Sequence, residues 1–342
     1  MRHRPHAAVA VAMTVLLATA APAPAFDAPY CTGGDIDAAS LAGVITPACD
    51  LTGRTVRGRG VAVTFPRAGH WVEISALRPD SSTSLFVAHG GDRIAVRTAD
   101  SRAVAGLPPA VCDELPRQVC QGPLEPPPAC RQFDHATHSW TASRSLHFEY
   151  NPSNYATGQT LAPDAMLGVY NMGGGVNDCG YPIGTFGLEA TWSFSTATDG
   201  MKYANDDVSC DREDDRNVVD WGPTGGALAV TCSQGALVVL GFLIRRPSDQ
   251  DIRIDNTVRW GDVRSDAECR TQTPDMYDLQ STTTHEFGHV YGLADLSTGT
   301  LQTMYESGGP CESFTRTLGA GDWLGMSSKY APCVECFIQD RQ

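Results

Sequence analysis

The stretch "HEFGHVYGLAD" (285–295) restricts the fold of this chain more than any other. His285 and His289 are four residues apart, so on a helix both imidazoles project from one face, about one turn apart. At that separation a single tetrahedral ion can bridge them. Glu286 is offset enough to miss such an ion and close enough to reach a water molecule beside it. Gly292 can take the left-handed backbone that ends a helix, and the reversal it allows can bring Asp295 back to the same point. The pattern predicts a helix from about Leu279 to Tyr291, N-capped by Asp278, with Thr283, Phe287 and Val290 on an apolar face that packs on a sheet. Two histidines and a glutamate occur by chance on many helices. The glycine, the oxygen donor and the downstream Met304 together give this stretch its weight.

The rest of the chain points to export. Residues 1–25 run from Arg2 and Arg4 through an apolar stretch to Ala23-Pro24-Ala25, the pattern of a signal peptide cleaved before Phe26. The longest later apolar run, "ALVVLGFLI" (236–244), is strand-length and rich in β-branched residues, which places it in a core and leaves no membrane anchor. All twelve cysteines follow the cleavage site, and an even number in an oxidising compartment reads as disulfides, the lone CxxC at Cys333 and Cys336 included. The mature chain is therefore expected to be secreted. A net charge of −14 argues against nucleic acid or an anionic membrane as the main partner.

Short alternating runs separated by turn residues fill 54–98: "VAVTF", "WVEISAL", "SLFVAH" and "RIAVR". They predict a β-rich N-terminal module over 26–105. Residues 106–130 are too rich in proline for a helix or central strand and read as a disulfide-pinned linker, leaving 131–342 as the second domain. That domain reads as α+β. Strands at "SLHFEYN", "NVVDW", "ALAVTC" and "DIRID", with a glycine-rich loop at 171–184, make a mixed sheet ahead of the helix.

The stretch at 285–295 resembles the metzincin zinc-protease signature, and its aspartate matches the variant pattern of snapalysin-like enzymes. "YDLQSTTTHEFGH", "LQTMYE" and "TLGAGDWLGMSSKY" (317–330) are similar to the matrixin-like branch at the approach to the helix, the Met-turn and the closing helix. The likeness spans roughly residues 140–331 and omits the N-terminal module. It implies a metzincin-like catalytic domain with zinc held by His285, His289 and Asp295, Glu286 as general base, and Met304 as an apolar floor. It also implies cleavage of protein or peptide substrates bound as an extra strand along "DIRID". Two rivals remain at this point: an extracellular binding or adhesion protein with a structural metal, and a zinc hydrolase acting on a non-protein substrate. Two further features carry smaller expectations. The run 199–220 holds eight acidic residues, which could bind Ca2+ or form a solvated loop. "PRQVCQG" around Cys120 is weakly similar to the latency motif of matrixin-like zymogens, although the even cysteine count lets Cys120 pair.

Overall fold

The computed structural model describes residues 28–99 and 127–330, except 159, 199–200, 205–206, 212, 241 and 299. The expected signal peptide, nearly all of the Pro/Cys-rich segment with Cys120, and the C-terminal CxxC lie outside the described residues. The strands of the first part are β1 (Ile36–Asp37), β2 (Thr55–Gly58), β3 (Val61–Thr64), β4 (His70–Leu77), β5 (Thr83–His89) and β6 (Ile94–Ala99). After residue 127 come β7 (Ala136–Thr137), β8 (Ser145–Tyr150), helix α1 (Ala162–Gly174), β9 (Glu189–Phe194), β10 (Met201–Ala204) and β11 (Asp207–Cys210). Next are β12 (Val218–Gly222), β13 (Ala229–Leu240), β14 (Phe242–Asp255), β15 (Arg259–Gly261), α2 (Asp266–Gln272) and β16 (Met276–Asp278). The chain then forms α3 (Leu279–Val290), β17 (Leu293–Ala294) and α4 (Ala320–Tyr330). The architecture is mixed α+β.

One sheet dominates, with strand order β6-β5-β4-β13-β14-β12-β8-β9. Strands β12, β8 and β9 run parallel to β14, whereas β13 and β4 are successively antiparallel. The alternating runs of 54–98 do become strands, but they do not close on one another. β4 pairs with β13 over its whole length, so the N-terminal strands and the strands ahead of α3 share one sheet. A second sheet, β1-β2-β3-β11-β10, mixes the two parts again, and the Cys210–Cys232 disulfide ties its β11 to β13.

Period-two alternation along β4 explains this layering. Trp71 and Leu77 enter the larger core with Phe287 and Val290 of α3, while Val72, Ile74 and Ala76 enter a smaller core between the two sheets. Of these, each fully buried Val, Leu, Ile or Phe contributes about 1.5–3 kcal/mol.

Three expectations need correction. "DIRID" is not an edge, because β14 bonds β12 on one side and β13 on the other and keeps no free backbone groups for a substrate there. The start of the glycine-rich loop is the end of α1. Its glycines lower helix propensity, but they let α1 lie close on α3: a Cβ at Gly168 would come within 2.4 Å of Thr283 Oγ1, and one at Gly173 within 3.1 Å of the Tyr291 hydroxyl. Thr283 thus faces α1 rather than the sheet. The run "ALVVLGFLI" crosses from β13 into β14; of its first two residues, Ala236 is exposed and Leu237 is half-buried and packed against the larger core. Among the described residues no helix is long and apolar enough to cross a membrane.

Candidate metal centre

Helix α3 begins where the sequence placed it. The Asp278 carboxylate accepts from Ser281 N at 2.8 Å and from Val263 N at 2.9 Å, and Arg316 Nε donates to it at 2.9 Å. The helix runs through His285, Glu286 and His289, all with their side chains buried. Gly292 has φ +88°, and a Cβ there would lie 2.7 Å from Trp140 O, so both conformation and space require glycine. Beyond it β17 pairs with β7, and Leu296 N donates to Met304 O at 2.8 Å, fixing the loop that carries Asp295.

Three donor atoms converge as a result. His285 Nε2 and His289 Nε2 are 3.1 Å apart, and Asp295 Oδ1 lies 3.1 Å from the first and 3.3 Å from the second. His285 Nδ1 is 2.8 Å from Thr303 O, and His289 Nδ1 is 3.1 Å from Leu293 O. A carbonyl oxygen only accepts, so each Nδ1 donates, and in the neutral ring each Nε2 presents a lone pair. Two lone pairs and a carboxylate oxygen facing one another repel unless a cation lies among them. Tetrahedral zinc with bonds of about 2.0–2.1 Å spaces its ligands by about 3.3 Å, which matches this triangle. Its members are only 2% (His285), 2% (His289) and 5% (Asp295) exposed, so water does little to screen that repulsion. The group is a candidate site for a divalent metal.

The charges agree with this reading. Burial disfavours ionised Asp295, yet the two imidazoles hold its carboxyl well below the usual range. Burial likewise opposes charge on His289, but Asp295, then Glu286 and the Leu293 carbonyl, outweigh it and lift the imidazole to about 9. The proton so held occupies a place that suits a cation. Burial pushes the Glu286 carboxyl up, against the pull of His285 and His289. Glu286 Oε2 accepts from Thr231 Oγ1 of β13 at 2.5 Å, whereas its Oε1 is buried without a hydrogen bond.

Met304 sits beneath the helix. A Cβ at Gly288 would fall 2.1 Å from its sulfur, so the glycine inside the histidine motif makes room for it. Asp322 of α4, which the sequence did not single out, fastens this turn: its carboxylate accepts from Thr303 N at 2.8 Å, Met304 N at 3.1 Å and Gly319 N at 2.9 Å. Thr231, Thr303 and His138, whose ring lies 6.0 Å from that of His289, were also missed. None lies at a helical spacing from the motif, and no local signal marks them. The acidic run 199–220 takes a different course. Part of it is the β10–β11 hairpin, Asp211 pairs with Lys202, and among the described residues it supplies no convergent group of three metal-ligating side chains.

No family model matches the sequence, and no curated protein matches it significantly. The functional reading therefore rests on the chemistry of these residues.

Proposed function

We propose that this protein is a secreted zinc endopeptidase of metzincin type, with His285, His289 and Asp295 as metal ligands and Glu286 as general base. The observation that carries the reading is the pairing of a three-donor triangle with an unpartnered carboxylate oxygen, Glu286 Oε1, on the same turn of α3. A purely structural zinc site closes its fourth position with a protein ligand and has no use for a base. When bound, zinc supplies Lewis acidity that polarises a carbonyl and acidifies water.

The remaining work falls to the chain. Thr231 holds Glu286 Oε2, which leaves Oε1 to take a proton from the attacking water and return it to the leaving amine. Thr303 and Leu293 hold the two rings in the tautomer that ligates. Met304 packs an apolar surface under α3 and contributes no ligand.

Metal analysis of the purified chain should return about one zinc per molecule, as a three-ligand site with an open fourth position requires. Chelation should abolish cleavage of unfolded protein, while serine- and cysteine-directed inhibitors leave it intact. Absence of zinc after purification without chelators would refute the metal site. Zinc without cleavage of any protein or peptide would refute the endopeptidase.

A further inference from the structure

The smaller core between the two sheets does not run to their ends. Val72, Val230 and Cys232 belong to it, and the Cys210–Cys232 disulfide bridges the gap there. Two residues farther along β13, at Gln234, the gap opens as a cleft of about 360 Å³, within the usual range of a small-molecule site. Thr64 of β3 and Asp211, just after β11, wall it from the second sheet, and His70 of β4 and Gln234 wall it from the large one. Alternation turns Gln234 toward this side with Val230 and Cys232, whereas Thr231 turns the opposite way, to Glu286. The cleft and the metal centre therefore lie on opposite faces of the large sheet.

Three polar groups at this cleft are unspent. Gln234 is 8% exposed, yet its Nε2 is buried without a hydrogen bond, a cost that packing alone gives the chain no reason to carry. Among the described residues the Arg67 guanidinium bonds only the His70 ring, with Nε at 3.1 Å and Nη2 at 2.9 Å from its Nε2, and it keeps 3.8 Å from Glu213 Oε2. Asp215, exposed at the rim, has no hydrogen bond or ion pair among the described residues. The other two carboxylates are committed. Asp211 pairs with Lys202 and accepts from Thr64 Oγ1 at 3.3 Å, and Glu213 Oε1 accepts from Ser248 Oγ at 2.6 Å. Ser248 is the residue that the bulge beside Gln234 leaves out of the β13–β14 ladder, so the bulge itself holds Glu213 at the cleft.

We propose that this cleft binds a small zwitterion, an amino acid or a short peptide with both ends unblocked, its carboxylate on Arg67 and the Gln234 amide and its ammonium on Asp215. A guanidinium and an amide N–H both donate, and a carboxylate is the acceptor that suits them. An ammonium only donates, which suits Asp215. An anion, a cation or a neutral ligand alone leaves at least one of the three groups unmet. A metal ion is not the occupant, because among the described residues the carboxylates here do not converge as metal ligands do. The site goes beyond the endopeptidase reading and does not depend on it.

The test is calorimetric titration of the full chain and of its Arg67→Ala, Gln234→Leu and Asp215→Asn variants. Glycylglycine and glycine are the zwitterionic probes, and acetate, ethylamine and N-acetylglycinamide carry one charge or none. Glycylglycine or glycine should bind at one site per chain, and its affinity should fall about tenfold or more in each variant, because each removes a hydrogen bond to a charged group. Acetate and ethylamine should bind about tenfold or more weakly than the zwitterion for the same reason, and N-acetylglycinamide not at all. Tighter binding of glycine assigns a free amino acid, and tighter binding of glycylglycine assigns a peptide. Asparagine tolerates the left-handed backbone of Asp215, φ +61°, and Gln234→Leu removes an unmet donor, so its urea midpoint should equal or exceed the parent's. A lowered midpoint in Gln234→Leu would give the amide a structural partner and overturn its role. Parent affinity in all three variants, or no binding of either zwitterion at millimolar concentration, overturns the site. Acetate or ethylamine binding as tightly as glycylglycine overturns the zwitterion.

Discussion

Asp295 puts a carboxylate where a third imidazole would be neutral, so a metal held here carries one unit less net charge. Its weaker pull on water makes the neighbouring base more important. Glu286→Ala should therefore keep zinc and fold but lose about 10²- to 10⁴-fold in turnover, the usual contribution of a positioned base. Zinc content and peptide hydrolysis measured on the same sample would check this, and turnover equal to the parent's would rule out the mechanism. Asp295→Ala should weaken zinc affinity strongly. Asp295→Asn should weaken it less, because an amide oxygen keeps the reach and loses the charge. Competition against a chelator of known affinity orders the three chains, and an Ala variant binding as tightly as the parent would show that Asp295 is not a ligand.

At the scale of elements, glycines decide how closely α3 is approached. Gly288 admits the Met304 sulfur from below, and Gly168 lets α1 lie against Thr283. Gly168→Ala improves intrinsic helix propensity by about 1 kcal/mol, but its Cβ would also meet the Thr283 backbone carbon at 2.7 Å, where nothing can rotate away. Overpacking of this kind costs about 1–3 kcal/mol, so the variant should be net destabilised in urea melts. A midpoint equal to or above the parent's would mean that the α1–α3 contact has slack. The N-cap of α3 is anchored just as locally: Asp278 serves the helix, Val263 and Arg316 together, which joins the start of the motif helix to the segment just ahead of α4.

Over the whole molecule, the strands before residue 100 and those after 140 build both sheets jointly, and the Cys210–Cys232 disulfide joins those sheets. One consequence concerns stability. Asp249 on β14 is fully buried, with Oδ2 accepting from Asp214 N at 2.6 Å. Burial raises its pKa from 3.8 to about 7, with the Asp214 amide and a side-chain hydrogen bond with Asp251 opposing and the charges of Asp214 and Glu213 adding to it. Between those values the folded chain holds a proton that the unfolded chain has released, so stability should fall as pH rises from about 4 to 7 and level off above. Asp249→Asn, which cannot titrate, should flatten that slope in denaturant midpoints taken at pH 5 and pH 8. A slope unchanged by the substitution would move the effect to another group.

The sequence by itself determined α3, its cap at Asp278, its stop at Gly292 and the convergence of His285, His289 and Asp295. These depend on spacing along one helix and on the next turn, and short-range geometry is written in local order. It also determined that 54–98 forms strands, because alternation is local as well. Only the tertiary structure decided which edges those strands meet. Backbone hydrogen bonding carries no side-chain label, so "WVEISAL" does not announce that its partner lies more than 150 residues away on β13. For the same reason "DIRID" looked like an edge and proved to be central, and α1 formed in spite of its glycines because packing on α3 outweighs propensity. Thr231, Thr303 and Asp322 reached the centre by the same long-range route, through contacts that exist only after the sheet has brought distant segments against one helix.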